Sequence, residues 1–420
     1  MSTRRQGYSL LIALVAVTAV LAAALATGTA LFTDGAGKDT AGDPKGGHTS
    51  RGPAARAAAA GHWNTTWAGS PTRPEPSTVP SARPDALTPQ ATTVRNVVHT
   101  SIGGRAARIT LSNLFGKTPL VVDRATVERQ PVRFGGRSAV TVPVGRQTVS
   151  DAVDVTVPAD ADLTVTVHTP GGGGPVTFHP QAGQTSYVTD GHGTHASTAW
   201  RYLTSVEVFS TTATGTVVTF GDSLTAGSGS TVDAESGWPD VLSDRLGGTY
   251  AVANQGIPGN RLLLETIGSQ SGLLRFDRDV LGVAGVKTVI ISLGINDVQN
   301  QPSGTDPQLL IDGLRTLAER ARAHGLRVVG ATLTPFGGRP SWTPQREATR
   351  RTVNTAIRTG HLFDAYVDFD RVVRDPYAPA RILPDYDCGD HLHFNDAGYR
   401  ALGHSIDVRA VTDRAAKGAL

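Results

Sequence analysis

From His62 to about residue 210, apolar positions come in short runs and never at helical spacing. Val94–Thr100, Ala107–Leu111, Leu120–Val127, Ala139–Val144, Val153–Val157 and Leu163–Thr169 are rich in Val, Thr and Ile. Gly-Gly, Pro or Asp-containing breaks separate them, and residues 162–168 alternate polar and apolar with period two. Half a dozen short strands at this spacing predict an all-β sandwich or jelly roll over residues 62–210. After Thr211 the pattern changes. Apolar strands are expected at Thr216–Phe220, Tyr250–Ala253, Lys287–Leu293, Arg327–Leu333 and Tyr366–Phe369. Between them Leu310, Leu314, Leu317 and Ala321 mark one face of a helix, with Asp306 as its cap, Pro307 in its first turn and Gly325 at its end. Further helices are expected over Pro344–Arg358 and after Asn395 and Asp396. Strands alternating with helices predict a parallel sheet covered on both faces, over residues 211–420.

Composition changes this picture mainly at the start of the chain. The 420 residues suit two domains, and 48 glycines with 25 prolines fit a turn-rich β portion. Residues 1–60 hold six Lys/Arg and three Asp, which leaves 33 basic and 33 acidic residues in the rest. The body is therefore electrically balanced, which removes the main support for a nucleic-acid partner. Arg4 and Arg5 precede an uncharged run from Leu10 to Ala26, where Ala24-Leu25-Ala26 offers small residues at the usual cleavage offsets. That reads as an export signal within residues 1–30, or as an uncleaved anchor and the only source of membrane contact. Residues 33–61 hold almost no large apolar side chain, and residues 31–61 are expected to be a flexible linker. Cys388 is the only cysteine, so no intramolecular disulfide can form, and a monomer held by its core alone is expected.

Four segments of the second half carry candidate chemistry. Ser223, in Gly221-Asp222-Ser223-Leu224-Thr225, follows a strand in a Gly-rich turn that would expose a nucleophile, and no G-x-S-x-G elbow occurs. Gly256 and Gly259, in Asn254–Asn260, could each bring a backbone N–H close to a ligand or simply serve a strand-to-helix turn. Asn296, in Gly294-Ile295-Asn296-Asp297, could donate its amide to a developing oxyanion or cap a helix. Asp390 and His393 stand three residues apart, so that Asp390 can orient the imidazole as a base for Ser223. His391 and His393 also form an H-x-H pair. No cluster of Cys, His and carboxylates elsewhere completes a ligand set for it, so no metal and no cofactor is expected.

Together the four segments resemble the blocks of the SGNH, or GDSL, hydrolase family. Ser223, Gly259, Asn296 and His393 fall on its name-giving positions, and Asp390 falls on the carboxylate of its D-x-x-H block. Trp63, Trp67-Ala68-Gly69-Ser70-Pro71, Ser101-Ile102-Gly103-Gly104 and Leu111-Ser112-Asn113 are similar to the N-terminal part of secreted two-domain members. The resemblance spans about residues 62–407. It implies a flavodoxin-like three-layer α/β/α catalytic domain behind the β domain, and metal-independent ester hydrolysis. Ser223, Asp390 and His393 would be catalytic, with Ser223, Gly259 and Asn296 as the oxyanion hole. Phe394 departs from the family's usual proline after the histidine, which leaves the pocket's shape open. The expected function is an extracellular serine ester hydrolase acting on acyl or acetyl esters of a small molecule or polysaccharide. The β domain would bind glycan or form a pocket wall. The alternative is a non-catalytic carbohydrate-binding or adhesion protein that retains the fold.

Overall fold

The structure is a computed structural model that describes residues 61–73, 91–171, 176–300 and 306–412. The expected export segment, and the linker except for Gly61, lie outside the described residues. Among the described residues, no helix is long and apolar enough to cross a membrane. All described residues belong to one compact unit, Ala58–Leu420.

The first part contains two larger antiparallel sheets and two two-stranded ones, Leu120–Val122 with Val140–Val142 and Phe178–His179 with Trp200–Arg201. One larger sheet runs Gly193–Ser197, Ser186–Asp190, Thr92–Thr100, Ala161–Thr169, Arg124–Val127, Gln130–Pro131, and the other His62–Ala68, Leu203–Ser210, Ala107–Ser112, Gln147–Val149. The period-two pattern explains the pairing. Val94 pairs with Val167 and Val98 with Leu163, and these side chains share a core with Ile109, Leu111, Val206 and Val208 of the second sheet. Several expected strands change in detail. Leu120–Val127 breaks at Asp123 into Leu120–Val122 and Arg124–Val127, which pair in different sheets. Val153–Val157 is no strand; Val153 and Val157 make only isolated bridges, to Ala107 and Gly104.

The second part is a five-stranded sheet ordered Tyr250–Gly256, Gly215–Gly221, Val286–Ser292, Arg327–Ala331, Ala365–Val367, every pair parallel. In chain order this is 2-1-3-4-5, the flavodoxin-like order. The first crossover moves one way along the sheet and the later ones move the other. Right-handed crossovers therefore put Trp238–Leu246 on one face and Pro307–Ala323 with Pro344–Thr359 on the other. The helix signals behave as their chemistry requires. Asp306 accepts the Gln308 N–H at 2.9 Å, Thr343 caps Pro344–Thr359, and Asn395 caps Asp396–Ser405. The last expected strand ends at Val367, because Asp368 caps a short helix, Phe369–Val373.

The two parts are joined by hydrogen bonds and by packing. The Thr65 N–H lies 3.1 Å from Ala284 O, and the Ser101 hydroxyl accepts the Val252 N–H at 3.0 Å. Ala251 of the parallel sheet packs in the sandwich core, and Ala68 of the sandwich packs in the α/β core.

Candidate active site

Three loops at the carboxyl ends of parallel strands, joined by the loop that carries Asp390 and His393 ahead of the helix Asp396–Ser405, build the site, where an open sheet of this order leaves its crevice. The strand Gly215–Gly221 is buried throughout and runs into the Ser223 turn. Asp222 accepts the Leu224 N–H at 3.0 Å and starts a one-turn helix, Ser223–Ala226, closed by Gly227 at φ +91°. Burial pushes the Asp222 carboxyl up to about 7.

His393 Nε2 lies 2.8 Å from Ser223 Oγ, and His393 Nδ1 lies 2.7 Å from Asp390 Oδ2. The carboxylate can only accept, so Nδ1 carries the hydrogen and the Nε2 lone pair faces the hydroxyl. Asp390 is heavily bonded. Oδ1 accepts the N–H groups of Leu392 and His393 at 2.9 and 2.8 Å, and Oδ2 also accepts from Arg339 at 2.9 Å. Burial alone would raise this carboxyl, but the His393 N–H, the imidazole and the Leu392 N–H outweigh it and hold it well below the usual range. Phe394 is fully buried, edge-on to Tyr399 at 5.5 Å. It anchors the loop that carries Asp390 and His393.

The H-x-H pair is split. His391 Nδ1 binds Asp387 Oδ2 at 2.7 Å, away from the relay, and Asp387 Oδ1 also accepts the N–H groups of Gly389 and His391. Cys388 is exposed, and burial of its sulfur together with the Asp390 charge raises its thiol, so a thiolate is disfavoured there.

The two candidate glycines have different surroundings. Gly256 donates to Asn254 Oδ1 at 3.0 Å, and a Cβ there would come within 2.3 Å of Ala226 N. It lets the strand pack against the Ser223 helix. Gly259 stands at φ +73° with open space where a Cβ would be, and its N–H has no acceptor among the described residues. The Ser223 N–H likewise has none. Asn296 donates one amide hydrogen to Asn260 O at 3.0 Å, while its Oδ1 accepts from Gln299 and Asn300 at 3.0 and 3.2 Å. Two donors on the oxygen fix the amide orientation and leave the second N–H of Nδ2 available. Asp297 holds the neighbouring segment by accepting the Leu262 and Leu263 N–H groups at 2.7 and 3.0 Å.

Sequence reading missed the residue that ties the first two loops together. Arg275 is fully buried. It donates to Asn260 Oδ1 at 2.9 Å, Gln255 O at 2.9 Å, Gly221 O at 2.8 Å, Ser70 Oγ at 3.0 Å and Asp279 Oδ2 at 3.0 Å. Burial lowers its guanidinium to about 10, so it stays charged at neutral pH beside the ionised Asp279. A lone arginine inside Leu273-Leu274-Arg275-Phe276 was the available signal. Ser70, from the resembling N-terminal segment, brings the sandwich into this network. Arg339, which grips Asp390, carried no signal.

Residues 219–401 match the family described as GDSL-like lipase/acylhydrolase. No curated protein matches the chain. Among solved structures, the chain is similar to an aryl esterase from M. smegmatis (19% identity, 47% of this chain and 99% of that one, TM-score 0.40). It is also similar to a carbohydrate acetylesterase from Sinorhizobium meliloti (18%, 45% and 95%, TM-score 0.37). A third is a GDSL-like lipase from Bacteroides thetaiotaomicron (20%, 47% and 87%, TM-score 0.37). With its four sequence blocks, its parallel sheet and this match, the chain carries over residues 219–401 a hydrolase domain of the GDSL-like lipase/acylhydrolase family.

Proposed function

We propose that the chain is a serine ester hydrolase that works through an acyl-enzyme. Ser223 is the nucleophile, His393 the general base and Asp390 its orienting carboxylate. The observation that carries this reading is the continuous Asp390–His393–Ser223 relay, at 2.7 and 2.8 Å. In the first half-reaction, Ser223 Oγ attacks the ester carbonyl while His393 Nε2 takes its proton. The tetrahedral oxyanion then collapses, and His393 returns the proton to the leaving alkoxide. Water repeats the sequence on the acyl-serine and releases the acid. The donors for the oxyanion are the Ser223 and Gly259 N–H groups and Asn296 Nδ2, all held before reaction begins. Burial holds the nucleophile turn rigid, and Arg275 fixes its carbonyl against the second loop. No step requires a metal. An adhesion protein that only retains the fold would have no need for this relay.

The substrate class is acyl or acetyl esters, of small molecules or polysaccharide, and the body acts outside the cell as a monomer. Support for export is the Arg4-Arg5 flank and the uncharged run to Ala26. A screen of acetyl, butyryl and longer p-nitrophenyl esters and of acetylated xylan tests the substrate class. Ester turnover by the wild type that is absent in Ser223→Ala is the expected result. Equal turnover by both proteins would refute the nucleophile.

A further inference from the structure

A cavity of about 360 Å³ lies where the sandwich meets the helix Trp238–Leu246, and Ser223, Asn296, Asp390 and His393 take no part in its wall. Its charge is one-sided. Asp160, Glu235, Asp240 and Asp244 line it; among the described residues no lysine or arginine does, and His99 is the one histidine there able to oppose them. The other lining histidine, His179, is lowered to about 4 by burial and is neutral. His99 sits between carboxylates, with Nε2 3.0 Å from Asp160 Oδ1 and Nδ1 3.0 Å from Asp162 Oδ1.

Two acceptors in this wall lack a donor. Glu235 has no hydrogen-bond or ion-pair partner among the described residues, although its carboxylate lies beside His99 and Asp162. Gln184 is only 4% exposed. Its Nε2 donates to Asp162 Oδ1 at 2.8 Å, and its Oε1 is buried with no partner among the described residues. Flipping that amide would turn its oxygen onto the Asp162 carboxylate, so the orphan acceptor is a property of the site. A buried acceptor with no donor costs free energy unless something fills the role.

We propose that His99, Asp162 and Glu235 form a divalent-cation site that pins the loop 231–236 to the sandwich. One ring nitrogen of His99 and one oxygen each from Asp162 and Glu235 all lie within 4.8 Å of one another. Ligand atoms around a common ion at about 2.0–2.4 Å fall within such a span. An imidazole with carboxylates suits Zn²⁺ or Mn²⁺ better than the all-oxygen sets that Ca²⁺ and Mg²⁺ prefer. The roles within the cluster follow from the bonds. Asp160 lies outside the group of three and keeps the Nε2 hydrogen, as carboxylates behind a metal-bound histidine do. Nδ1 loses its proton to solvent and turns its lone pair to the ion. The Gln184 amide backs Asp162 from behind, donating to its Oδ1. A cation also answers the crowding of charge, since Asp160, Glu235, Asp240 and Asp244 all line the same cavity.

The loop has a reason to be pinned. Thr231 and Ser236 both donate to Asp396, the first residue of the helix behind the catalytic loop, and Asp233 accepts from Thr185 of the sandwich. An ion on Asp162 and Glu235 would add one more tie across the same seam.

The test uses the full chain, dialysed against a chelator and then titrated with Zn²⁺, Mn²⁺, Ca²⁺ or choline. Thermal melting and calorimetry are the readouts. We expect Zn²⁺ or Mn²⁺ to bind one per chain and to raise the melting temperature by several degrees. Glu235→Gln should abolish that rise while melting higher than wild type without metal, because it removes a crowded carboxylate. That opposite sign separates loss of a ligand from misfolding. Asp162→Asn should weaken binding at least tenfold. The proposal is overturned if neither Zn²⁺ nor Mn²⁺ binds or stabilises, or if Glu235→Gln binds like wild type. Stabilisation by choline alone, or binding lost only in Asp387→Asn, would also overturn it.

Discussion

His393 and His99 are both flanked by aspartates, yet their chemistry differs. His393 has a carboxylate on Nδ1 and a hydroxyl on Nε2, so its tautomer is set and one lone pair faces a weak acid. His99 has a carboxylate on each nitrogen. Carboxylates only accept, so both nitrogens donate in the metal-free protein; burial would lower the imidazole pKa, but the bonds to Asp160 and Asp162 outweigh that and raise it. The geometry of the carboxylate–imidazole contact is nearly the same in the two places. The third partner decides whether the pair moves a proton or holds a charge. An Asp–His contact alone is therefore a weak sign of catalysis, whereas one completed by a serine at a strand end is a strong one.

The largest effect that would break this contrast is at His393. His393→Ala should lower kcat by a factor on the order of 10⁴–10⁶, measured on a p-nitrophenyl ester at saturation. A loss below tenfold would remove the distinction between the two histidines. Asp390→Asn should cost about 10⁴, because the amide can no longer hold the Nδ1–H tautomer. Asp387→Asn should cost far less, since that carboxylate faces His391. Equal losses at the two positions would show that the orienting carboxylate is misassigned. Asn296→Ala should lower kcat by about 10²–10³ with little change in KM, because its bond strengthens as charge develops. A raised KM at normal kcat would make it a binding residue instead.

Arg275 sharpens the comparison from the packing side. Arg275→Met leaves Asp279 buried without that partner and should destabilise by roughly 3–5 kcal/mol. Arg275→Lys keeps the charge but loses the fork that spans Gly221, Gln255 and Asn260. If the fork positions the nucleophile turn, kcat falls by about 10² in Arg275→Lys while KM and the folded spectrum hold. Unchanged kcat in that variant would leave Arg275 a purely structural residue.

The smallest effect is a pH dependence at the second cluster. Glu235 is raised from 4.5 to about 7, so the unfolded chain releases this proton earlier than the folded one. Its contribution to stability is full below about 4.5 and is lost as pH rises through about 7. In metal-free protein the melting advantage of Glu235→Gln should therefore grow over that window and then level. An advantage that shrinks with rising pH would contradict the assigned environment.

How much of this was legible in the chain follows from distance along it. Asp390 and His393 are three residues apart, and Ser223 and Asn296 each follow a continuous apolar strand, so local pattern was enough to nominate them. The resemblance already favoured Gly259 over Gly256; the packing against Ala226 that gives Gly256 another use needed the fold. Arg275 meets Ser70 from 205 residues away, and His99 meets Asp160 from 61, with no local period to announce either contact. Val153–Val157 had the composition of a strand but found only single bridges, because pairing partners, not β-branched side chains, make a ladder. Leu120–Val127 was one run in sequence and two strands in space, since Asp123 turns its side chain to His168 at the break.

The central claim, that Ser223 is the residue acylated, is tested most directly by covalent labelling. The full chain is treated with a fluorophosphonate, digested, and mapped by mass spectrometry, beside Ser223→Ala. The account predicts one stoichiometric adduct on the peptide containing Ser223, lost in the variant together with ester turnover. An adduct on another serine or on Cys388, or one that persists at full stoichiometry in Ser223→Ala, would contradict it.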